Sequence, residues 1–226
     1  MRKPTADPTA WHPQALADAQ LADLGDCNCV AVDPGRPTGL ALLLLRAGRV
    51  LTWSGTLWVA AGPASGAGLR LCVEGLVLPA LANTPGIVLP AVRDPRYWQW
   101  HYAAEVGQVF ARRGQSSKEA AGRNKSVASG ARLEGQLQAA LESTLVLTDQ
   151  HLYRSDQWRT VLGVSRAKGL LAKQVAVGFI GRHFGACVND HEAEAIGIGL
   201  HCLRDLARER RRGGGLALEG GQGGRP

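Results

Sequence analysis

The chain has 226 residues, of which 45% are hydrophobic and 20% charged, and its formal net charge is +7 at pH 7. This composition excludes a fully disordered or fibrous protein and predicts one domain large enough to bury a core. The excess of Lys and Arg favours a polyanionic partner such as nucleic acid, but a solvated basic surface explains the same charge equally well.

Targeting and redox signals are absent from the sequence. Residues 1–26 contain Arg2 and Lys3 but no apolar segment of a signal peptide, and the run Gly39–Leu45 is too short to span a bilayer. The five cysteines have neither disulfide-framework nor zinc-site spacing: Cys27, Cys29, Cys72, Cys187 and Cys202. We therefore expect a soluble, cytoplasmic protein with reduced thiols.

The first half of the chain predicts strands. Residues 1–27 have the composition of a largely disordered extension with a short helix candidate at Gln14–Leu24. Val30–Asp33, Leu40–Leu45 and Arg49–Val59 then predict an antiparallel meander, because only short turns separate them. Leu69–Leu76 predicts one further strand.

The second half predicts helices that alternate with one short strand. The helix candidates are Gln99–Arg113, Arg132–Ser143, Arg166–Phe184 and a segment from Asn189 or Asp190 to about Arg208, with a strand at Thr144–Leu147. The pattern predicts an α/β domain over 28–208 with an insertion near 79–130, followed by a disordered Arg/Gly-rich tail at 209–226. Its sheet should be mixed, with the meander joined to parallel strands and flanked by helices.

Acidic residues stand at three unusual places. Asp33 ends an apolar strand, where it either forms a turn or serves a site. Glu74 lies inside the apolar run 71–77, where a carboxylate must face solvent, a partner or a metal. The third place is a helix start, Asp190–Glu194, where the helix dipole alone would favour acids.

Helical geometry orders the third group. At about 100° per residue, Asp190, His191 and Glu194 share one face, whereas Glu192 lies on the far side and is expected to face water. Carboxylates are the ligands that Mg²⁺ prefers, and two such ions can activate water and stabilise the leaving oxygen of a phosphodiester. The acids therefore predict a metal-dependent phosphodiesterase.

Several motifs are similar to those of the RuvC-type Holliday junction resolvases. Val30–Gly35 followed by Thr38-Gly39 resembles the opening strand and turn of that family. Cys72-Val73-Glu74 resembles its acid-bearing later strand, and His191–Ala195 resembles its closing acidic helix, with Glu194 where Asp is usual. More loosely, 124–136 and Ala172–Val175 resemble a polar loop with its following helix and a lysine-containing helix.

The resemblance implies an RNase H-like fold and a homodimer that cuts four-way DNA junctions with Mg²⁺, or Mn²⁺ in its place. It implies candidate catalytic residues Asp33, Glu74, Lys173, His191 and Glu194. The metal ligands would be Asp33, Glu74 and Glu194, completed by Asp190 or His191. Two alternatives stay open: a nuclease for RNA or RNA–DNA hybrids on the same fold, and a catalytically inactive DNA-binding relative.

Basic and aromatic residues predict a DNA-binding surface, since cations contact phosphates and aromatic rings stack on bases. Its candidates are Arg93, Arg96, Trp98, Trp100, Arg112, Arg113, Lys118, Arg123, Asn124, Lys125, Arg132, Lys168 and Lys173. Trp98 and Tyr102 fit the core face of a helix equally well. Trp158 is expected in the core, and the histidines outside the acidic helix show no metal-ligand spacing among themselves.

Overall fold

The computed structural model describes residues 10–14, 18–58, 66–84, 98–106, 117–164, 169–186 and 188–219. Within 117–126 and 214–219 it describes the backbone alone.

Within these ranges, six strands form one mixed sheet in the order β1-β4-β3-β2-β5-β6. The strands are β1 His12–Pro13, β2 Cys27–Asp33, β3 Thr38–Arg46, β4 Arg49–Leu57, β5 Gln99–Glu105 and β6 Val146–Tyr153. β2, β3 and β4 form the predicted antiparallel meander, and β5 and β6 continue the sheet in parallel with β2. The predicted mixed sheet, an antiparallel meander joined to parallel strands, is therefore confirmed.

Helices cover both faces of this sheet. They are α1 Gly66–Ala82, α2 Ser117–Glu142, α3 Ser155–Trp158, α4 Gly169–Phe184 and α5 Asp190–Glu219. A 3-10 turn, Arg159–Leu162, follows α3 directly. None of the helices in the described ranges is long and apolar enough to cross a membrane.

Alternation along the strands divides the core into two clusters. On β2, Cys29 and Ala31 point towards α4 and α5, whereas Val30 and Val32 point towards α1 and α2. The small residues of α5 allow it to lie close to the sheet: a Cβ at Gly199 would stand 2.3 Å from a Leu43 side-chain carbon. The parity of each strand thus decides which side chains reach the α5 face.

The strand predicted at Leu69–Leu76 is wrong, because this segment belongs to α1. Leu69, Val73 and Val77 are buried at a spacing of four residues, which places them on one helical face. The segment is apolar on almost every side, so a short window of it could not separate a buried strand from a helix.

The helix predicted over Gln99–Arg113 is also wrong for residues 99–105, which form β5. Trp100 and Tyr102 are both fully buried on the α1/α2 side, two residues apart, as a strand requires. Trp98 and Tyr102 therefore do not form a helical stripe, whereas the prediction that Trp158 lies in the core is confirmed.

Both chain ends differ from the prediction within the described ranges. In the described part of the expected helix Gln14–Leu24, the helical element is a three-residue 3-10 turn at Ala19–Leu21, whose Leu21 is fully buried. α5 continues past Arg208 to Glu219. Arg204 on α5 pairs with Asp18 at 2.8 Å, so part of the predicted extension is bound to the domain.

Candidate metal centre

Two carboxylates lie at neighbouring strand ends. Asp33 is the last residue of β2 and Glu105 is the last residue of β5. The parallel register pairs Val32 with Ala104, so Asp33 and Glu105 follow one residue later on adjacent strands. Alternate residues of a strand point to the same face of the sheet, and by this rule Asp33 and Glu105 both point to the face that α5 covers. Strand pairing therefore brings them together.

The start of α5 adds the other groups. A Cβ at Gly39 would stand 2.0 Å from the carbonyl oxygen of His191, so the first turn of α5 requires glycine in β3. The Thr38 hydroxyl donates to the Gly35 carbonyl at 2.7 Å and holds the preceding loop closed. The Asp-Pro-Gly and Thr-Gly motifs thus bring the α5 terminus against the end of β2.

Asp33, His191 and Glu194 form a group whose ligand atoms all lie within 4.8 Å of one another. His191 Nδ1 lies 3.0 Å from Asp33 Oδ2, and this contact raises the pKa of His191. Glu194 is only 8% exposed, one turn further along the same helical face. The predicted shared face of His191 and Glu194 therefore points at Asp33.

Burial and mutual repulsion disfavour the simultaneous ionisation of the carboxylates in this centre. Desolvation and the charge of Asp33 raise the pKa of Glu105 to about 7, although a hydrogen bond of 2.9 Å from Trp158 Nε1 opposes the shift. Desolvation and Asp33 likewise raise the pKa of Glu194, whose Oε1 lies 3.7 Å from Arg159 Nη2. A cation among these groups would offset their mutual repulsion.

Asp190 is turned towards a different partner. Its Oδ2 is bonded to Lys173 Nζ of α4, which raises the pKa of Lys173 and lowers that of Asp190. The same oxygen lies 4.0 Å from His191 Nε2. Of the two residues that compete for the last ligand position, His191 therefore contacts Asp33, and Asp190 links the centre to Lys173.

Glu192 does not project into water as expected. Its Oε1 accepts a hydrogen bond from Thr56 at 2.7 Å, and its backbone N–H donates to Asn189 Oδ1 at 3.0 Å. Asn189 thereby caps the first turn of α5. Glu192 fastens that turn to β4.

Glu74 lies apart from this group. It is on α1, where its Oε1 accepts a hydrogen bond of 2.7 Å from Arg70 Nε one turn earlier. Among the described residues, the metal-ligand group at the end of β2 does not contain it. Glu105 is not one of those three residues either, but it ends the strand next to β2, and its carboxylate interacts with the charges of Asp33 and Glu194. Its place beside Asp33 was not predicted, because β5 was assigned to a helix.

The candidate DNA-binding residues are only partly described. Arg132 is exposed on α2, whereas Trp100 is fully buried and presents no ring face for a base. Trp98 is half-buried beneath Arg46, whose guanidinium lies 5.5 Å from the ring centre. The side chains of the following candidates lie outside the described part of the chain: Arg93, Arg96, Arg112, Arg113, Lys118, Arg123, Asn124, Lys125 and Lys168.

A cleft of about 210 Å³ opens beside the centre, lined by Asp33, Glu105 and, on α2, Gly130, Ala131 and Glu134. Glu134 is buried and accepts a 2.9 Å hydrogen bond from the Tyr102 hydroxyl. The cleft therefore gives a ligand access to both carboxylates along one side of α2.

The donor set fits a hard divalent cation. Carboxylate oxygens from Asp33, Glu105 and Glu194 are the ligands that Mg²⁺ and Mn²⁺ favour, and His191 adds one nitrogen. These residues lie at the ends of two adjacent strands and at the start of one helix, so regular secondary structure holds the ligand atoms in place.

No protein-family model and no curated protein sequence matches this chain. Among solved structures, the chain is similar to a RuvC structure from Thermus thermophilus, with a TM-score of 0.44 and 15% sequence identity. The similarity covers 81% of this chain and 96% of that one.

Proposed function

We propose that this protein is a divalent-metal-dependent endonuclease that hydrolyses phosphodiesters in branched DNA such as four-way junctions. The observation that carries the proposal is the group of Asp33, His191 and Glu194 at one end of the sheet, with Glu105 at the end of the adjacent strand. Mg²⁺ or Mn²⁺ bound there would activate water and stabilise the leaving oxygen.

The residues around the ligands have separate tasks in this proposal. Trp158 orients Glu105 through its 2.9 Å hydrogen bond, and Arg159 offsets part of the charge of Glu194. Lys173 keeps its positive charge through Asp190 and supplies a cation beside the scissile phosphate. His191 completes the ligand set, and Asp190 positions Lys173.

Two cations contact the acids of this centre. Lys173 on α4 pairs with Asp190, and Arg159 lies 3.7 Å from Glu194. Together with the net charge of +7, these groups favour a phosphate backbone as the ligand. A branched substrate is proposed from the resemblance of the Asp33–Gly39 and His191–Ala195 motifs to the resolvases.

The test measures cleavage of a four-way junction, a linear duplex and an RNA–DNA hybrid with Mg²⁺, Mn²⁺ and EDTA. We expect junction cleavage that requires the metal, and we expect Asp33→Asn to abolish cleavage while junction binding is retained. Asp23→Asn, which removes a carboxylate that is 64% exposed and pairs with Arg211, is the matched control and should still cleave.

Each unfavourable outcome removes a different part of the proposal. Cleavage by Asp33→Asn equal to that of the unaltered protein would overturn the metal centre. Preference for the hybrid would replace branched DNA by RNA–DNA as the substrate. Junction binding without cleavage at any metal concentration would leave a catalytically inactive DNA-binding protein.

We also propose a homodimer, because a junction presents two symmetric scissile strands. Sedimentation velocity with and without junction DNA tests this point. A monomer under both conditions would contradict paired incision.

A further inference from the structure

A second group of metal-ligand atoms lies on the same face of the sheet, away from the acidic centre. His101 is on β5, and Asp149 and His151 are on β6. Their ligand atoms all lie within 4.8 Å of one another. The sequence analysis found no metal-ligand spacing among these histidines, because 50 residues separate them and parallel strand pairing joins them.

An irregularity in the β5–β6 pairing creates this group. Trp100 pairs with Leu147 and Tyr102 pairs with Gln150, so His101 alone stands opposite two residues of β6, Thr148 and Asp149. Such a bulge re-aims side chains. Here the bulge brings Asp149 beside His101. The pairing of Ala103 with His151 then places the His151 imidazole next to both residues.

The imidazole nitrogens lack ordinary partners. Within the described part of the chain, His101 Nδ1 and His151 Nε2 are both buried and have no hydrogen-bond partner. Asp149 Oδ2 is 3.3 Å from His101 Nδ1 but is not aligned to accept a hydrogen bond. Leaving a buried polar atom unmatched costs about 1–3 kcal/mol, and a ligand bound by both imidazoles would remove that cost.

Neighbouring rings hold the imidazoles in place. The rings of His101 and His151 have centroids 5.6 Å apart, and His151 stacks on Tyr153 with a centroid separation of 6.3 Å. Burial lowers the pKa of His101, and the neighbouring His151 lowers it further. The neutral imidazole that results is the form that binds a metal.

We propose that His101, Asp149 and His151 bind a divalent transition-metal ion of the zinc class. Two nitrogens and one carboxylate oxygen suit zinc rather than magnesium, and three protein ligands leave the fourth tetrahedral position to water. The ion would link β6, the outermost strand of the sheet, to its neighbour β5. Glu105 lies four residues after His101 on β5 and points to the same face of the sheet. This site is independent of the proposed nuclease activity.

The test uses the full-length protein, stripped of metal with a chelator, in a His191→Ala background that removes the imidazole of the first centre. Calorimetric titration with Zn²⁺ measures stoichiometry, and titration with Co²⁺ adds the visible absorption bands of a tetrahedral nitrogen–oxygen site. We expect one equivalent of each ion to bind and Zn²⁺ to raise the Tm.

Adding Asp149→Asn or His101→Ala to this background should weaken Zn²⁺ binding by more than the roughly 10- to 100-fold that loss of an outer-shell partner causes. Asp149 has a side chain that is 63% exposed, so its substitution tests the site without disturbing the core. His183→Ala is the matched control, because His183 stacks on Phe179 of α4 and should leave binding unchanged.

Two results would overturn the proposal. One is the absence of a bound equivalent of Zn²⁺ or Co²⁺ in the His191→Ala protein. The other is undiminished binding, with the same Tm increase, after Asp149→Asn is added.

Discussion

The two ligand groups share one face of one sheet but differ in chemistry. Asp33 and Glu105 offer oxygen atoms at the ends of β2 and β5, and Glu194 offers them from the start of α5. His101 and His151 offer nitrogen atoms earlier along β5 and β6. The same strand pairing thus builds a group suited to magnesium and a group suited to zinc, and the difference lies in the side chains that each strand position presents.

The largest expected effect compares two glutamates. Glu105→Gln should lower metal-dependent junction cleavage at least about a hundredfold, which is the loss expected when one preorganised electrostatic group is removed. Glu74→Gln should leave the rate unchanged, because Glu74 contacts Arg70 on α1. Both rates are measured in single-turnover assays. Loss of activity in Glu74→Gln with normal activity in Glu105→Gln would reverse our assignment.

A smaller effect concerns the pH dependence of stability in EDTA. The folded protein raises the pKa of Glu105 from 4.5 to about 7, so between these values the folded state retains a proton that the unfolded chain has released. The free energy of unfolding contributed by this group should therefore fall as pH rises from about 4.5 to 7, by roughly 1–3 kcal/mol.

Urea unfolding at several pH values, with the unaltered protein and Glu105→Gln, measures this slope. Glu105→Gln should make it shallower, and Glu194 and His191, whose pKa values are also raised, should account for the slope that is left. Glu74→Gln serves as the control and should keep the full slope. Equal slopes in all three proteins would show that Glu105 does not titrate in this range.

The smallest expected effect tests whether the two groups act independently. In zinc-free buffer with Mg²⁺, Asp149→Asn should change junction cleavage by no more than about twofold, since exposed substitutions away from special contacts stay within about 0.5 kcal/mol. A loss greater than tenfold would mean that the edge of the sheet controls the carboxylate centre, and the two groups would then have to be treated as one.

Local patterns predicted the parts of the fold that depend on neighbouring residues. The meander of β2, β3 and β4 follows from apolar runs joined by short turns, and α5 follows from its helical spacing. Region 66–105 was assigned wrongly in both of its described elements. α1 carries too few polar residues to distinguish a period of two from a period of 3.6. In β5, by contrast, Gln99–Tyr102 does alternate polar and apolar residues, a period of two that the helix assignment overlooked.

The candidate site divides in the same way. Asp33 and the pair His191 and Glu194 could be predicted because each stands next to a local signal, a strand end or a helix start. Glu105 could be found only by its position on the strand parallel to β2, since the residues around it resemble those of any apolar segment. The sequence analysis therefore selected Glu74, an acid in a similar apolar context.

The sequence by itself determined the meander, the carboxylate at the end of β2 and the acidic first turn of α5, because these depend on residues close in the chain. The tertiary structure decided which second carboxylate joins Asp33 and which histidines meet. Both outcomes depend on the register of parallel strands that lie about 45 to 75 residues apart in sequence. No local periodicity encodes that register, since it is set by the packing of both sheet faces against the helices.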